Sequence, residues 1–293
     1  MQDYIVRATA NDNKILAFAV LSTDTVETAR QIHNLSPASC AALGRSLSAT
    51  SMMRMMMKDK NDKLTLVIKG DGPIGGVVAV SNYPGQVKGY VDNPAVDLPL
   101  NDKGKIDVSR AIGKKGYVRV IKDIGLKEPY IGQVELKTGE VADDITYYFT
   151  LSEQIPSSVG LGVLIDKDMH VLASGGFIIQ LMPDFDIDNV AVLENKIKKV
   201  NSITDLLRSG YTPENILELL LDGFNVKFTD ITPLKFECDC SKERFEKAII
   251  SLGEEEIKTL INENKPVEVI CHFCRKKYLI NEDELKELLR LAK

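Results

Sequence analysis

The chain has 293 residues, 44% of them apolar and 27% charged, with a net charge of −5 and a pI near 5.4. That length suits about two domains of roughly 100–200 residues each, and the acidic balance argues against a nucleic-acid binder, which needs a basic field. No apolar run is long enough to span a bilayer. The N-terminal stretch MQDYIVRATANDNKILAFAVLS shows neither a basic leader nor a small-residue cleavage site, so a cytoplasmic protein with no membrane partner is expected.

Residues 1–183 are expected to form an N-terminal α+β domain with a mixed sheet. DYIVRATA and KILAFAVLS flank Asn11-Asp12-Asn13, the pattern of a hairpin. Ser36 before Pro37 has the form of an N-cap with proline at the first helical position. The helix is expected to run through PASCAALGRSLSATSMMRMMMK, which is rich in Ala, Ser and Gly and so should pack closely on both sides. KLTLVIKGDGPIGGVVAVSNYPGQVKGYVD then alternates apolar strands with Gly, Pro and Asn turns. GYVRVIKDIG, DITYYFTLSEQ and GVLIDKDMHVLASGGFIIQL read as further strands. Strands and helices do not alternate regularly, so a doubly wound parallel sheet is not expected.

Residues 184–231 read as a helical connector. Ser202 caps ITDLLRS, with Asp205 at the capping-box position and Gly210 as the stop. Thr212 caps the next helix, Pro213 takes its first position and Gly223 ends it. That helix carries Ile216, Leu217, Leu219, Leu220 and Leu221. Burying each such side chain is worth roughly 1.5–3 kcal/mol, so the segment should dock on the N-terminal domain, with Leu217, Leu220 and Leu221 at the docking face.

Residues 232–293 read as a small C-terminal domain. Ser241 caps a helix with Phe245, Ala248, Ile249 and Leu252 on one face, closed by Gly253, and Ile257, Leu260 and Ile261 mark a second. VEVICHFCRKKYLI reads as strand, knuckle, strand. Asn281 caps a final helix, with Glu284 at the capping-box position and Leu285, Leu288 and Leu289 as its stripe. A core this thin often needs a staple.

Four of the five cysteines lie here: Cys238 and Cys240 one residue apart, thirty intervening residues, then Cys271 and Cys274 two apart. In a reducing compartment, paired cysteines are more often metal ligands or redox groups than permanent disulfides. Four thiolates suit one tetrahedral zinc per chain. Lys242, Arg244, Arg275, Lys276 and Lys277 stand beside them to offset the negative charge. An iron–sulfur cluster is the rival, and His272, directly after Cys271, is a poor substitute ligand. The plainest role is a folding staple. Cys-x-Cys in place of the ribbon-like Cys-x-x-Cys opens another, because each thiol has a neighbour with which to oxidise. An extended two-residue step spans about 6.6–7.2 Å and disulfide-linked Cα atoms lie about 4.4–6.8 Å apart, so a link between Cys238 and Cys240 requires a bent backbone. Links within each pair would no longer hold the two knuckles together.

Other motifs carry less. Gly160-Leu161-Gly162 does not complete a dinucleotide fingerprint, and no phosphate loop is present. GRSLS at 44–48 lacks the second glycine of a nucleophile elbow. His33, His170 and His272 fall in no metalloprotease motif, so no enzymatic activity is expected. Cys40, in the Ala-rich helix, reads as a small buried residue. Met52, Met53, Met55, Met56 and Met57 read as core, or as a compliant apolar surface for varied partners.

Together these segments resemble the 33-kDa heat-shock protein family. The likeness runs over nearly the whole chain, through GPIG (72–75), EQIPSSVGLGVLI (153–165), GGFIIQLMP (175–183), YTPE (211–214), CSKERFEKAI (240–249) and CHFC (271–274). The resemblance implies a redox-regulated holdase chaperone, inactive when reduced and zinc-bound. Oxidation would pair Cys238 with Cys240 and Cys271 with Cys274, release zinc, and unfold the C-terminal domain and connector. The active homodimer would hold unfolding client proteins without ATP and pass them to ATP-dependent foldases. The alternative is a zinc-ribbon interaction or nucleic-acid module, which would normally be basic; residues 232–293 instead hold 12 Lys/Arg against 13 Asp/Glu, a balance of −1. A thiol oxidoreductase would place its Cys-x-x-Cys beside a thioredoxin-type strand–helix unit, which is missing.

Overall fold

The computed structural model describes residues 2–102, 104–263 and 265–292. It is an α+β chain with two compact units, Met1–Glu237 and Cys238–Lys293.

The first unit opens with the hairpin β1 (Tyr4–Ala10) and β2 (Ile15–Leu21). Its turn needs left-handed backbone, and Asn11, Asp12 and Asn13 all take positive φ, the conformation Asn and Asp tolerate best. Helices α1 (Thr23–His33) and α2 (Pro37–Arg54) follow, then β3 (Lys63–Lys69), β4 (Gly76–Tyr83), β5 (Gln86–Val91), α3 (Val108–Ile112), β6 (Tyr117–Asp123) and β7 (Tyr130–Glu135). Helix α4 (Val141–Tyr148) runs into a π-helical turn at Phe149–Glu153, before β8 (Ser157–Ile165) and β9 (Val171–Leu181). Next come α5 (Ile187–Lys199), α6 (Ile203–Arg208), α7 (Pro213–Leu220), β10 (Lys227–Pro233) and β11 (Lys235–Phe236). One sheet has the order β10-β1-β2-β9-β8, the other β11-β5-β4-β3-β6-β7.

Helix α2 packs on β4 and β5 of one sheet and on β8 and β9 of the other. All its residues from Ala38 to Arg54 except Arg45 are buried. Small side chains permit that approach: a Cβ on Gly44 would stand 2.7 Å from Val26 Cγ1 and 2.8 Å from Val163 Cγ2. The buried hydroxyls of Ser46, Ser48 and Ser51 are paired rather than left dry, Ser48 with Gly44 O at 2.9 Å and with Ser22 Oγ at 2.8 Å, whereas Thr50 Oγ1 has no partner among the described residues. The helix stops at Arg54, four residues short of the expected Lys58. Buried Arg54 donates through Nη2 to the carbonyls of Asp59 and Lys60 at 2.7 and 2.9 Å, which turns the chain back. Met52 and Met53 are core, and Met55, Met56 and Met57 pack against it. Ser36 stands at the N-cap with Pro37 behind it, though its side chain makes no capping bond.

Three helices lie where strands and turns were expected. DITYYFTLSEQ is helical because Val141, Ile145 and Tyr148 bury one face at a spacing of three to four. The Asp144 carboxylate organises its entry, accepting the backbone N–H groups of Lys137, Thr138 and Gly139 at 2.7–2.9 Å. Helix α1 buries only the narrow stripe Thr25, Val26, Ala29 and His33, and α3 is a single short turn capped by Asp107.

The connector helices are capped as expected. Ser202 accepts the Asp205 N–H but Asp205 does not complete the expected capping box, whereas Thr212 and Asn215 form one behind Pro213. Gly210 and Gly223 end their helices at φ 89° and 83°. Ile216, Leu217, Leu220 and Leu221 are fully buried against Val6, Ala8, Ile15, Ala17 and Phe177, whereas Leu219 is 42% exposed. Helix gives way to strand at β10, which pairs antiparallel with β1, so residues 227–231 are extended rather than helical. Among the described residues no helix is long and apolar enough to cross a membrane.

The second unit comprises α8 (Lys242–Ile250), α9 (Glu254–Asn262), the antiparallel pair β12 (Val267–Ile270) and β13 (Lys277–Ile280), and α10 (Glu282–Leu291). Its core is Ile249, Ile257, Ile280, Leu285 and Leu288. Asn281 and Glu284 form the expected capping box on α10. Gly253 takes φ 95° between α8 and α9, and Leu252, expected on the buried face, is 54% exposed.

Candidate metal centre

Two short backbone segments bring the four thiols together. The first, Cys238 to Ser241, has no regular structure and leads into α8, where Ser241 accepts the Arg244 N–H. The second is the knuckle between β12 and β13. There Cys271 N–H donates to Lys276 O at 2.9 Å, Arg275 N–H donates to Cys271 O at 2.8 Å, and Arg275 takes φ 58° to close the turn.

The sulfurs of Cys238, Cys240, Cys271 and Cys274 all lie within 4.8 Å of one another. The close contacts run between the knuckles: Cys238 Sγ to Cys271 Sγ at 3.7 Å and Cys240 Sγ to Cys274 Sγ at 3.4 Å. An ion bonded tetrahedrally to four thiolates at about 2.3 Å holds neighbouring sulfurs about 3.8 Å apart. The donor set and its spacing therefore suit a single metal ion. All five cysteines are free thiols.

The thiols are not equivalent. Burial pushes Cys238 and Cys274 up. Burial also acts to raise Cys240, but the Tyr278 hydroxyl and the neighbouring thiols outweigh it and leave Cys240 below its ordinary value. Tyr278 sits on β13 with its oxygen 3.2 Å from Cys240 Sγ, and it donates to Cys240 O at 3.0 Å. Its hydrogen bond to Cys240, with burial, raises the phenol. The Phe245 ring packs against it at 5.0 Å between centroids and Lys276 Nζ lies 5.2 Å above it.

The cations expected to offset the thiolate charge are largely engaged elsewhere. Lys242 pairs with Glu284, Arg244 with Asp239 and Lys277 with Glu268. His272 is exposed, and its ring is not among the converging ligand atoms. Cys40 lies in α2 of the other unit, where burial pushes its thiol to about 12. Tyr278 and Phe245 were not singled out as site residues in the sequence. Tyr278 falls on an inward position of β13, but its partner Cys240 is 38 residues away.

The family model described as Hsp33 protein matches residues 3–281. The chain belongs to the Hsp33 family. It is 63% identical over 292 residues to the 33 kDa chaperonin of Thermoanaerobacter sp. (strain X514), covering 100% of this chain and 99% of that one. It is 49% identical to the 33 kDa chaperonin of Acetivibrio thermocellus (strain ATCC 27405), covering 99% and 98%. The crystal structure of the 33 kDa chaperonin, an Hsp33 homologue, from Thermotoga maritima matches with a TM-score of 0.91 at 39% identity and covers 99% of each chain. A chaperone identity and an α+β Hsp33 fold follow, and the cysteine cluster fits redox regulation in this family.

Proposed function

We propose that this chain is a redox-regulated, ATP-independent holdase held off in the reduced state by one zinc on Cys238, Cys240, Cys271 and Cys274. The observation that carries the reading is the convergence of four thiols from two knuckles within 4.8 Å in a unit whose apolar core is small. One ion fits that spacing better than a cluster of several irons, whose ligands must surround a larger body. Zinc bound there supplies no redox chemistry of its own; it neutralises the thiolates and cross-links the knuckles.

Oxidation acts on the ligands. Two cysteine sulfurs give up two electrons and any thiol protons to form one disulfide, while one peroxide takes up those two electrons and two protons, drawn from the thiols or from solvent, and becomes two waters or an alcohol and a water. The proposed pairs are Cys238–Cys240 and Cys271–Cys274. The closest sulfur contacts lie between the knuckles, so the local pairing rests on the tethers: once the ion has gone, only partners one or two residues apart remain close. Local links leave the knuckles unjoined. Residues 232–293 then unfold, the connector 184–231 loosens from the β1–β2–β9 face, and apolar surface becomes available to unfolding clients. The active form is a homodimer in the cytoplasm that hands clients to ATP-dependent foldases. The zinc-ribbon alternative has no basic field to support it.

Peptide mapping of peroxide-treated protein tests the pairing. Local disulfides with zinc released are expected; a Cys238–Cys271 or Cys240–Cys274 link would refute this route, because either would retain the staple.

A further inference from the structure

Tyr278 makes a contact that neither the cysteine spacing nor the switch requires. Its side chain is buried to 9% exposure, and a buried phenol needs a polar partner. The hydroxyl reaches across from β13 to the other knuckle and meets two atoms of one residue there, Cys240 O at 3.0 Å and Cys240 Sγ at 3.2 Å. The ring packs against that of Phe245 of α8 at 5.0 Å between centroids and has the Lys276 ammonium 5.2 Å from its centroid. The segment it grips has no regular backbone hydrogen bonding to fix it.

We propose that Tyr278 is a positioning residue for the metal centre, a clasp that orients Cys240 and slows loss of the ion. The proposal rests on the metal-site reading above. When Cys240 is a thiol, its S–H donates to the phenol oxygen while the phenol donates to the carbonyl. When the sulfur is an ion-bound thiolate, the phenol bears the one donor hydrogen among the three groups, and that hydrogen faces sulfur and carbonyl together. A ligand sulfur held by such a donor keeps its orientation, and partners of this kind typically contribute about 10–100-fold in metal affinity.

The test uses the reduced full-length chain, its Tyr278→Phe variant, a Lys286→Ala control at an exposed position of α10, and a chain carrying 3-fluorotyrosine at position 278 alone, which keeps the ring and hydroxyl but makes the phenol a stronger donor. Zinc loss to a chromogenic chelator gives retention, and the thiolate-to-cobalt charge-transfer band of cobalt-loaded protein reports on the ligand sulfurs. Tyr278→Phe should lose zinc about 10–100-fold more readily and shift the cobalt band, Lys286→Ala should match the wild type, and fluorotyrosine should shift the band in the direction opposite to Phe. Tyr278→Phe that retains zinc as the wild type does, with an unchanged band, overturns the clasp while leaving the metal site standing. If Tyr278→Phe fails to fold, an unshifted band in the fluorotyrosine chain overturns it. A wild-type chain that takes up neither ion overturns both readings.

Discussion

The phenol of Tyr4 donates a 2.7 Å hydrogen bond to Glu214 Oε2 and so joins β1 to α7 across 210 residues of sequence. It is the polar edge of the face on which Leu217 and Leu220 are buried, and burial with the Glu214 bond lifts the phenol to about 12. Tyr4→Phe keeps the ring and removes the bond. Hydrogen bonds to charged groups contribute about 1.5–3 kcal/mol when buried; partial exposure reduces this one to about 1 kcal/mol. Reduced Tyr4→Phe should be cut several-fold faster in residues 209–212 by limited proteolysis, with its metal content unchanged. An unchanged cleavage rate would show that the bond does not hold the connector.

Leu217, Leu220 and Leu221 test the apolar part of the same face. Each is fully buried, and truncation of such a leucine costs about 2–5 kcal/mol. Since about 1.4 kcal/mol is a tenfold shift, Leu217→Ser or Leu220→Ser should populate the undocked connector strongly. Such variants should suppress client aggregation while still reduced and zinc-bound. Leu219→Ser, at a 42% exposed position, should behave as the wild type. A zinc-bound variant with a loosened connector that stays inactive until oxidised would locate the switch elsewhere.

Asp3 gives the first unit a pH dependence. Its Oδ2 accepts the Thr25 N–H at 2.6 Å near the start of α1, and burial, opposed by hydrogen bonds from Thr25 and Asp24, lifts its pKa from 3.8 to about 6. The folded value lies above the unfolded one. The stability this group contributes is therefore fully present below 3.8 and lost as pH rises through about 6. At about 1.4 kcal/mol per unit, the charged form costs on the order of 3 kcal/mol at neutral pH. Asp3→Asn keeps an acceptor for Thr25 without the charge. It should melt above the wild type at pH 7.5, and the gap should shrink steadily as pH falls towards 4. A gap independent of pH would remove Asp3 as its source.

Chelating the metal from reduced protein should separate the two units. A structural zinc site contributes about 10–16 kcal/mol of apparent binding free energy, and the core of Ile249, Ile257, Ile280, Leu285 and Leu288 is small beside the two cores of the first unit. Hydrogen exchange should show residues 238–293 losing protection while 2–183 keep theirs. Equal loss across both would mean that the first unit also depends on the ion.

What the sequence disclosed and what it hid follow from how local each signal is. Asn11-Asp12-Asn13, Ser202, Thr212-Pro213, Gly223 and Asn281 act on neighbours within four residues, so their turns and caps were legible. So was the cysteine cluster, because knuckle spacing is itself local. Helix α4 was misread because Ile145, Thr146, Tyr147, Tyr148 and Phe149 carry β-type side chains, while the fixing contacts come from Asp144 to backbone N–H groups before the helix. Strand β10 was missed because its residues are mostly exposed at a sheet edge and show no buried alternation. The roles of Tyr4 and Tyr278 depend on partners 210 and 38 residues away, and no short-range pattern carries such pairings.

The central claim is that thiol oxidation turns on client holding. The most direct measurement is light scattering from a chemically denatured client diluted into buffer containing this chain in four forms: reduced and zinc-bound, peroxide-treated, peroxide-treated then re-reduced with zinc, and, without peroxide, with Cys271 and Cys274 changed to Ser. The account predicts aggregation with the first and third forms and suppression with the second, without ATP. It predicts that the Cys→Ser chain no longer needs peroxide, because two ligands are already gone. Equal suppression by the reduced zinc-bound and oxidised wild-type forms would contradict the account.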